Sequence, residues 1–319
     1  FPPKDTSKQP SKFQDVFGLS LLDIALENNN VIAITPAMPT GSALTHMMQV
    51  FPKRVFDVGI AEAHAVTLAA GMATQGLTVF CVIYSTFLQR AYDQVIHDVC
   101  LQNLPVIFCI DRAGLVGEDG PTHHGIFDIA YLRLIPNIQI YAPHNETTFR
   151  NLLYTLSKAP KSPMAIRYPR GLGKNLDWKQ PLKKIALNQT TYHLKGEFLA
   201  IISLGTTAWE VVEALENSTQ KVTHVSMLSI KPLDTSSLHW LCQNHNIIIT
   251  VEDGVITGGF GSAVLEFISE NNYKIQLERL GIKDNFPTHG SISELKKIAG
   301  IDASSIRKKV NTLLQKKGA

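Results

Sequence analysis

The chain reads as an α/β protein built on parallel sheets, and three observations lead there. Short apolar runs rich in β-branched residues recur along its 319 residues, segments of helical length separate most of them, and the pattern breaks once, over Gly171 to Gly196, before it resumes. Alternation of strand and helix favours parallel strands covered by helices on both faces, and a chain of this length is long enough for two cores. One domain is expected over 13–175 and a smaller α/β domain over 197–319, with linkers at 1–12 and 176–196.

In the first domain the expected strands are Val31 to Thr35, Arg54 to Val58, Thr78 to Tyr84, Pro105 to Asp111, Asn137 to Ala142 and Met164 to Tyr168. Between them, Ala61 to Gln75, Phe87 to Leu101 and Asn145 to Ser157 have helical length. The crossing carries Gly171, Gly173, Pro181 and scattered lysines with no sustained period, which suits a surface passage. Beyond it, strands are expected at Phe198 to Leu204, Val222 to Met227, Ile247 to Glu252 and Ile275 to Leu280. The matching helices are Thr207 to Glu216, Ser236 to Gln243, Gly261 to Asn271 and Ala303 to Leu314, and no repeat of solenoid length is visible.

Composition narrows the function. A net charge of +3, from 30 basic and 27 acidic residues without a long block of one sign, argues against nucleic acid or an anionic membrane as partner. Cys81, Cys100, Cys109 and Cys242 form no C-x-x-C pair, so they read as buried thiols in a reducing compartment. No apolar run reaches the ~18 residues of a membrane span, and no signal segment opens the chain. Residues Phe1 to Pro10 lack an initiator Met and read as a polar linker, so the chain is expected to start within a longer protein.

Chemistry concentrates after the strands. Glu62, in Asp57-Val58-Gly59-Ile60-Ala61-Glu62-Ala63-His64, stands in the first turn of a helix that follows a strand, where a side chain reaches the crevice in which α/β folds bind ligands. The helix dipole alone also favours a Glu there. Phe87 follows the third strand and reads in the ordinary way as a core aromatic, the commoner fate of any Phe, while Tyr84 ends that strand. Arg90, Arg112 and Arg170 sit on three segments near strand or helix ends; solvated arginines are the ordinary reading, and an anion clamp the functional one. The loop Gly114 to Gly125 is rich in glycine and contains the titratable Asp119 and His123. His64 and His124 are adjacent candidates. The run Gly258-Gly259-Phe260-Gly261 before a helix admits a phosphate cradle, though packing is the simpler account.

Four blocks in order carry a resemblance: Asp57 to His64; Tyr84 to Gln94; Asp111-Arg112-Ala113-Gly114-Leu115-Val116-Gly117 with Asp119-Gly120-Pro121-Thr122-His123; and Arg167-Tyr168-Pro169-Arg170-Gly171. Together they resemble the 1-deoxy-D-xylulose-5-phosphate synthases among the transketolase-like thiamine-diphosphate enzymes, from about Phe13 to the last helix but over only part of that family's length. The resemblance implies a pyrimidine-binding domain and a carboxyl-terminal domain. It gives Glu62 a hydrogen bond to a ring nitrogen of the cofactor's aminopyrimidine, makes Phe87 the ring stacked on it, and sets Ile60 and Tyr84 along the same crevice. By the same resemblance Arg90, Arg112 and Arg170 clamp the phosphate of glyceraldehyde 3-phosphate. Asp119 takes the acceptor hydroxyls, and His123 donates to a substrate oxygen or to the carboxylate derived from pyruvate.

The family's Mg²⁺ signature, G-D-G followed by Asn, is not found, and Gly117-Glu118-Asp119-Gly120 is not that motif. No metal ligands are therefore assigned here, and the diphosphate and its ion are expected on an absent amino-terminal half. The resemblance further implies a homodimer in bacterial cytoplasm or plastid stroma. Two other readings stand beside it: the beta subunit of a 2-oxo acid dehydrogenase first component, which is naturally this long, and a non-catalytic protein that keeps the fold. Two departures are visible. Ala63 stands where the family leads one to expect Gln, and Met38-Pro39-Thr40-Gly41 replaces a more charged turn.

Overall fold

Strands that are apolar along their whole length build a sheet buried on both faces. The computed structural model describes residues 9–158, 160–216 and 221–315, so most of the expected opening linker lies outside the described residues. The first half contributes β1 (Val31–Thr35), β2 (Val55–Asp57), β3 (Thr78–Tyr84), β4 (Val106–Asp111), β5 (Gln139–Tyr141) and β6 (Met164–Arg167). The second contributes β7 (Thr191–Leu194), β8 (Phe198–Leu204), β9 (Thr223–Met227), β10 (Ser229–Lys231), β11 (His245–Val255) and β12 (Gln276–Ile282). One sheet has the order β10-β5-β6-β4-β3-β1-β2 and the other β12-β11-β8-β9-β7; all neighbours are parallel except β10 on β5 and β7 on β9.

The helices of the first half are α1 (Phe13–Glu27), α2 (Thr45–Val50), α3 (Glu62–Thr74), α4 (Ser85–Leu88), α5 (Tyr92–Gln94), α6 (Asp128–Arg133) and α7 (Glu146–Ser157). Those of the second are α8 (Thr207–Leu215), α9 (Thr235–Asn244), α10 (Phe260–Glu270), α11 (Ile292–Ala299) and α12 (Ala303–Gln315). Phe13, Phe17 and Leu21 of α1 interlock with Phe149, Leu152 and Leu153 of α7 against Phe80 and Val82 of β3. On the opposite face Ala65, Val66 and Ala69 of α3 meet Cys81 and Ile83, in a core that runs on to Ile202, Val225 and Phe260 of the second half. The two sheets thus share buried surface. All four cysteines are buried and free.

Where the chain departs from the periodicity reading, the cause is local. The expected helix from Phe87 to Leu101 is broken: α4 passes through a 3₁₀ turn at Gln89–Ala91 into α5, then a π-turned stretch at Val95–Cys100. Within the widened stretch Val95 and Val99, four residues apart, are both buried, a spacing that a turn wider than the α-helix keeps near one face. The reading also placed no element before Val31, where α1 lies, and none at β7, β10, α2, α6 or α11. β7 falls inside the expected linker. β10 is three residues of the second half that join the first sheet beside β5.

Further ties cross between the halves. Arg167 at the end of β6 donates from Nε to Asp128 Oδ2 at 2.9 Å and from Nη1 to Asp253 Oδ1 of β11 at 2.7 Å. Arg133 donates to the carbonyls of Gly258 and Gly259 at 2.7 and 3.0 Å. The Gly258–Gly261 run is no open phosphate cradle. Buried Glu252 accepts from the amides of Phe260 and Gly261, both at 2.8 Å, so the protein's own carboxylate fills the helix end.

His144, His193 and His224 pack ring to ring, the last two stacked at 4.5 Å. Burial pushes His144 down to about 4 and His224 to about 3, with neighbouring imidazole charge adding to the shift. As pH falls below 6.5 the unfolded chain takes up protons that the folded chain refuses, so stability declines until about pH 4 for His144 and about pH 3 for His224. Replacing His144 with Phe is expected to flatten the pH dependence of unfolding free energy across that window by about 1.4 kcal/mol per pH unit. Urea titrations at stepped pH check it; an unchanged slope would detach His144 from acid sensitivity.

Candidate active site

The parallel register lines up the carboxyl ends of the central strands, with Thr35 opposite Asp57 and Tyr84 opposite Asp111. From there the chain turns into the segments that carry the candidate residues. Asp57 Oδ1 accepts from the amides of Ala37 and Gly59, at 2.8 and 3.0 Å, and Gly59 takes φ +70°, a left-handed turn open to glycine. That turn delivers Glu62 as the first residue of α3. Glu62 is 5% exposed, and its Oε1 accepts from Nη1 of Arg90 at 3.1 Å, while the Arg90 side chain is 62% exposed. Ile60, expected along the crevice, is 84% exposed, and His64 points outward from α3.

A ring cluster stands beside Glu62. Tyr84 and Phe87 stack with centroids 5.4 Å apart, and His123 meets Phe87 edge-on at 5.5 Å. Both Arg112 and Arg90 lie over rings, Arg112 Cζ at 3.9 Å from the Tyr84 centroid and Arg90 Cζ at 5.4 Å from that of Phe87. Burial pushes the Tyr84 phenol up to about 12, so it remains a neutral hydroxyl. Thr122 Oγ1 lies 2.9 Å from His123 Nδ1 and orients that ring.

Arg112 sits at φ +58°, an uncommon conformation for a residue other than glycine, held by its own neighbour. Asp111 Oδ1 accepts from the Arg112 amide and Oδ2 from its Nη1, both at 2.7 Å, and Nη1 also donates to the Gly41 carbonyl at 3.1 Å. Burial raises the Asp111 pKa against the opposing pull of Arg112. Arg170 pairs through Nε with Asp119 Oδ2 at 3.3 Å and donates from Nη1 to the Val116 carbonyl at 3.0 Å. Arg112, Arg170, Asp111 and Asp119 all act electrostatically on the Tyr84 phenol, which places them round one centre.

The expected arginine clamp therefore divides. Arg112 and Arg170 converge near Tyr84, whereas Arg90 turns to Glu62 because the 3₁₀ turn at Gln89–Ala91 directs it towards α3. Each of the three already has a carboxylate partner. His124 is 2% exposed, with both ring nitrogens within hydrogen-bonding distance of backbone groups, Val116 N at 3.2 Å and Thr288 O at 3.0 Å. Sequence reasoning missed Asp111 as the group that holds Arg112, and Gly41 as part of the site. A Cβ on Gly41 would stand 2.0 Å from the Tyr84 hydroxyl, so the turn flagged only as a departure approaches the rings closely. The signal available for both was position, one at a strand end and one in a Pro-Thr-Gly turn.

A buried carboxylate paired with an arginine, a flat ring beside it and two further arginines are the groups that this edge offers: a hydrogen-bond acceptor, an apolar face and cations. Among the described residues no group of three or more His, Cys, Asp or Glu side chains is placed to hold a metal ion.

The transketolase pyrimidine binding domain matches residues 9–175, and the transketolase C-terminal domain matches residues 189–306. This chain belongs to the transketolase family. Curated transketolase-family relatives include proteins named 1-deoxy-D-xylulose-5-phosphate synthase from Cytophaga hutchinsonii, 51% identical over 313 residues, and from Parabacteroides distasonis, 49% identical over 305 residues. The alignments cover 97% and 95% of this chain but 49% and 48% of those proteins, so the chain spans about half the length of the curated relatives it matches. Among solved transketolases, a split gene transketolase described as an inactive beta4 tetramer superposes with a TM-score of 0.85 at 25% identity, covering 95% of this chain and 98% of that one.

Proposed function

We propose that this chain is the pyrimidine-binding and carboxyl-terminal portion of a thiamine-diphosphate-dependent transferase. It joins pyruvate, with loss of carbon dioxide, to glyceraldehyde 3-phosphate, giving 1-deoxy-D-xylulose 5-phosphate for isoprenoid synthesis. The observation that carries this reading is the buried Glu62 carboxylate beside the Tyr84–Phe87 stack at the carboxyl edge of the first sheet. The names of the half-matched relatives support the choice of reaction.

The residues present fit the aminopyrimidine half of the cofactor. Glu62 offers a carboxylate oxygen to a ring nitrogen from an enclosed position, and Phe87 offers a flat apolar face. Thiamine diphosphate, when bound, supplies the carbon nucleophile and electron sink of the decarboxylation. Glu62 holds the shared proton at the ring nitrogen, Arg90 orients Glu62, and His123 donates to a substrate oxygen. Arg112 and Arg170 bind the acceptor phosphate, and Asp119, released from Arg170, faces the acceptor hydroxyls. The diphosphate and its Mg²⁺ are assigned to residues outside this chain, and the working enzyme to a homodimer in the bacterial cytoplasm. Among the described residues no helix is long and apolar enough to cross a membrane.

Assaying the complete gene product with pyruvate and glyceraldehyde 3-phosphate tests the reaction. Transfer of the acetyl unit to a lipoyl domain in place of the aldehyde would overturn it. Arg170→Ala is expected to raise the apparent KM for glyceraldehyde 3-phosphate by about tenfold or more while leaving that of pyruvate within about twofold. Equal effects on both substrates would remove Arg170 from the phosphate site.

A further inference from the structure

The loop that carries Asp119 and His123 is held from the other half of the chain. Its two ends pair, with Gly114 N donating to Gly125 O at 2.7 Å and Gly125 N to Gly114 O at 2.8 Å. Inside, the His124 ring is buried between two backbone groups of opposite character. Its Nδ1 accepts from the Val116 amide at 3.2 Å, which leaves the proton on Nε2, and that N–H donates to the Thr288 carbonyl at 3.0 Å. Val116 is also the residue whose carbonyl receives Arg170. One imidazole therefore links the segment before α11 to the loop and, one residue further, to Arg170.

The packing round this link is close. A Cβ on Gly117 would lie 3.1 Å from Ile292 Cγ1 and 3.2 Å from the Gly290 carbonyl, and one on Gly120 would fall within 2.5 Å of the His289 ring. Both glycines also take positive φ, +78° and +75°. The stretch from Thr288 to Ile292 thus lies against Gly117 and Gly120 of the loop that carries Asp119 and His123.

We propose that His124 is a positioning residue through which the carboxyl-terminal half sets the acceptor-binding loop in register with Tyr84 and Phe87. The inference rests on the carboligase reading for its substrate, and on the His124 geometry for its mechanism. The contact to Thr288 is the part that matters: it fixes the loop's position beside the ring stack, and so the reach of Arg170 and Asp119 towards the acceptor.

Two conservative variants separate the bonds that His124 makes. In His124→Gln the amide nitrogen lies near the place of Nε2 and keeps a donor for Thr288; in His124→Asn the amide oxygen lies near the place of Nδ1 and keeps only an acceptor for Val116. In the complete gene product, His124→Gln is expected to keep the apparent KM for glyceraldehyde 3-phosphate within about twofold of wild type. His124→Asn is expected to raise it about tenfold, with kcat and the KM for pyruvate within about twofold. Hydrogen–deuterium exchange without substrates should show faster exchange at the Gly120 and His123 amides in the Asn variant alone. Equal behaviour of the two variants would overturn the proposal, as would faster exchange through β3 and β4 in both, the mark of a core-packing residue. If the wild-type protein makes no product from the aldehyde, the carboligase reading falls, and the exchange comparison alone still decides the clasp.

Discussion

Glu62→Gln is expected to lower turnover of the complete enzyme by about 10²–10⁴-fold, the range carried by a positioned acid–base group, while leaving the fold in place. The substitution preserves volume and retains an oxygen that accepts from Arg90, so on the proposed reading it removes only the carboxylate's ability to hold a proton at the cofactor's ring nitrogen. Little stability is at stake. The Glu62–Arg90 pair has one partner 62% exposed, and such pairs contribute roughly 0–1 kcal/mol. Steady-state rates, with circular dichroism and a thermal scan beside them, make the comparison. A Gln variant that retains about a tenth or more of the wild-type rate would exclude Glu62 from the chemistry.

Arg167→Met is expected to destabilise the protein by about 3–5 kcal/mol, because it strands Asp128 and Asp253 without their cation. Arg167 is 3% exposed in its side chain, Asp128 1% and Asp253 13%. Burial already raises the Asp128 pKa and Arg167 opposes that shift, so removing the guanidinium leaves a carboxyl that folds only by taking up a proton. Urea unfolding measures the loss, and Arg167→Met combined with Asp128→Leu should recover much of it, since apolar replacements of a buried pair are tolerated. A single variant within about 1 kcal/mol of wild type would show that the triad does not hold the halves together.

The strands were the most legible part of the fold. β1, β3 and β8 lie at the residues expected, because their runs are buried on both faces and nearly every position is apolar. α1 was missed although Phe13, Val16, Phe17, Leu21 and Ile24 follow helical spacing. β7 and β10 are short and are defined by antiparallel pairing with distant residues, so nothing within three or four residues announces them. At the site, types and rough places were readable: Glu62, Tyr84, Phe87, Arg112, Asp119, His123 and Arg170 gather at one edge. The partners were not. That Arg90 turns to Glu62 depends on a single 3₁₀ turn, and that His124 faces inward depends on a carbonyl 164 residues away.

The loan of β10 to the neighbouring sheet bears on how this gene may be divided. A polypeptide stopped anywhere in the crossing after β6 would leave β5 with a bare edge of unpaired amides and carbonyls, a template for aggregation. The other piece would carry Ile230, now buried, on a ribbon with nothing to pair against. Two-piece expression should then yield soluble material only when both pieces are made together and fold around each other.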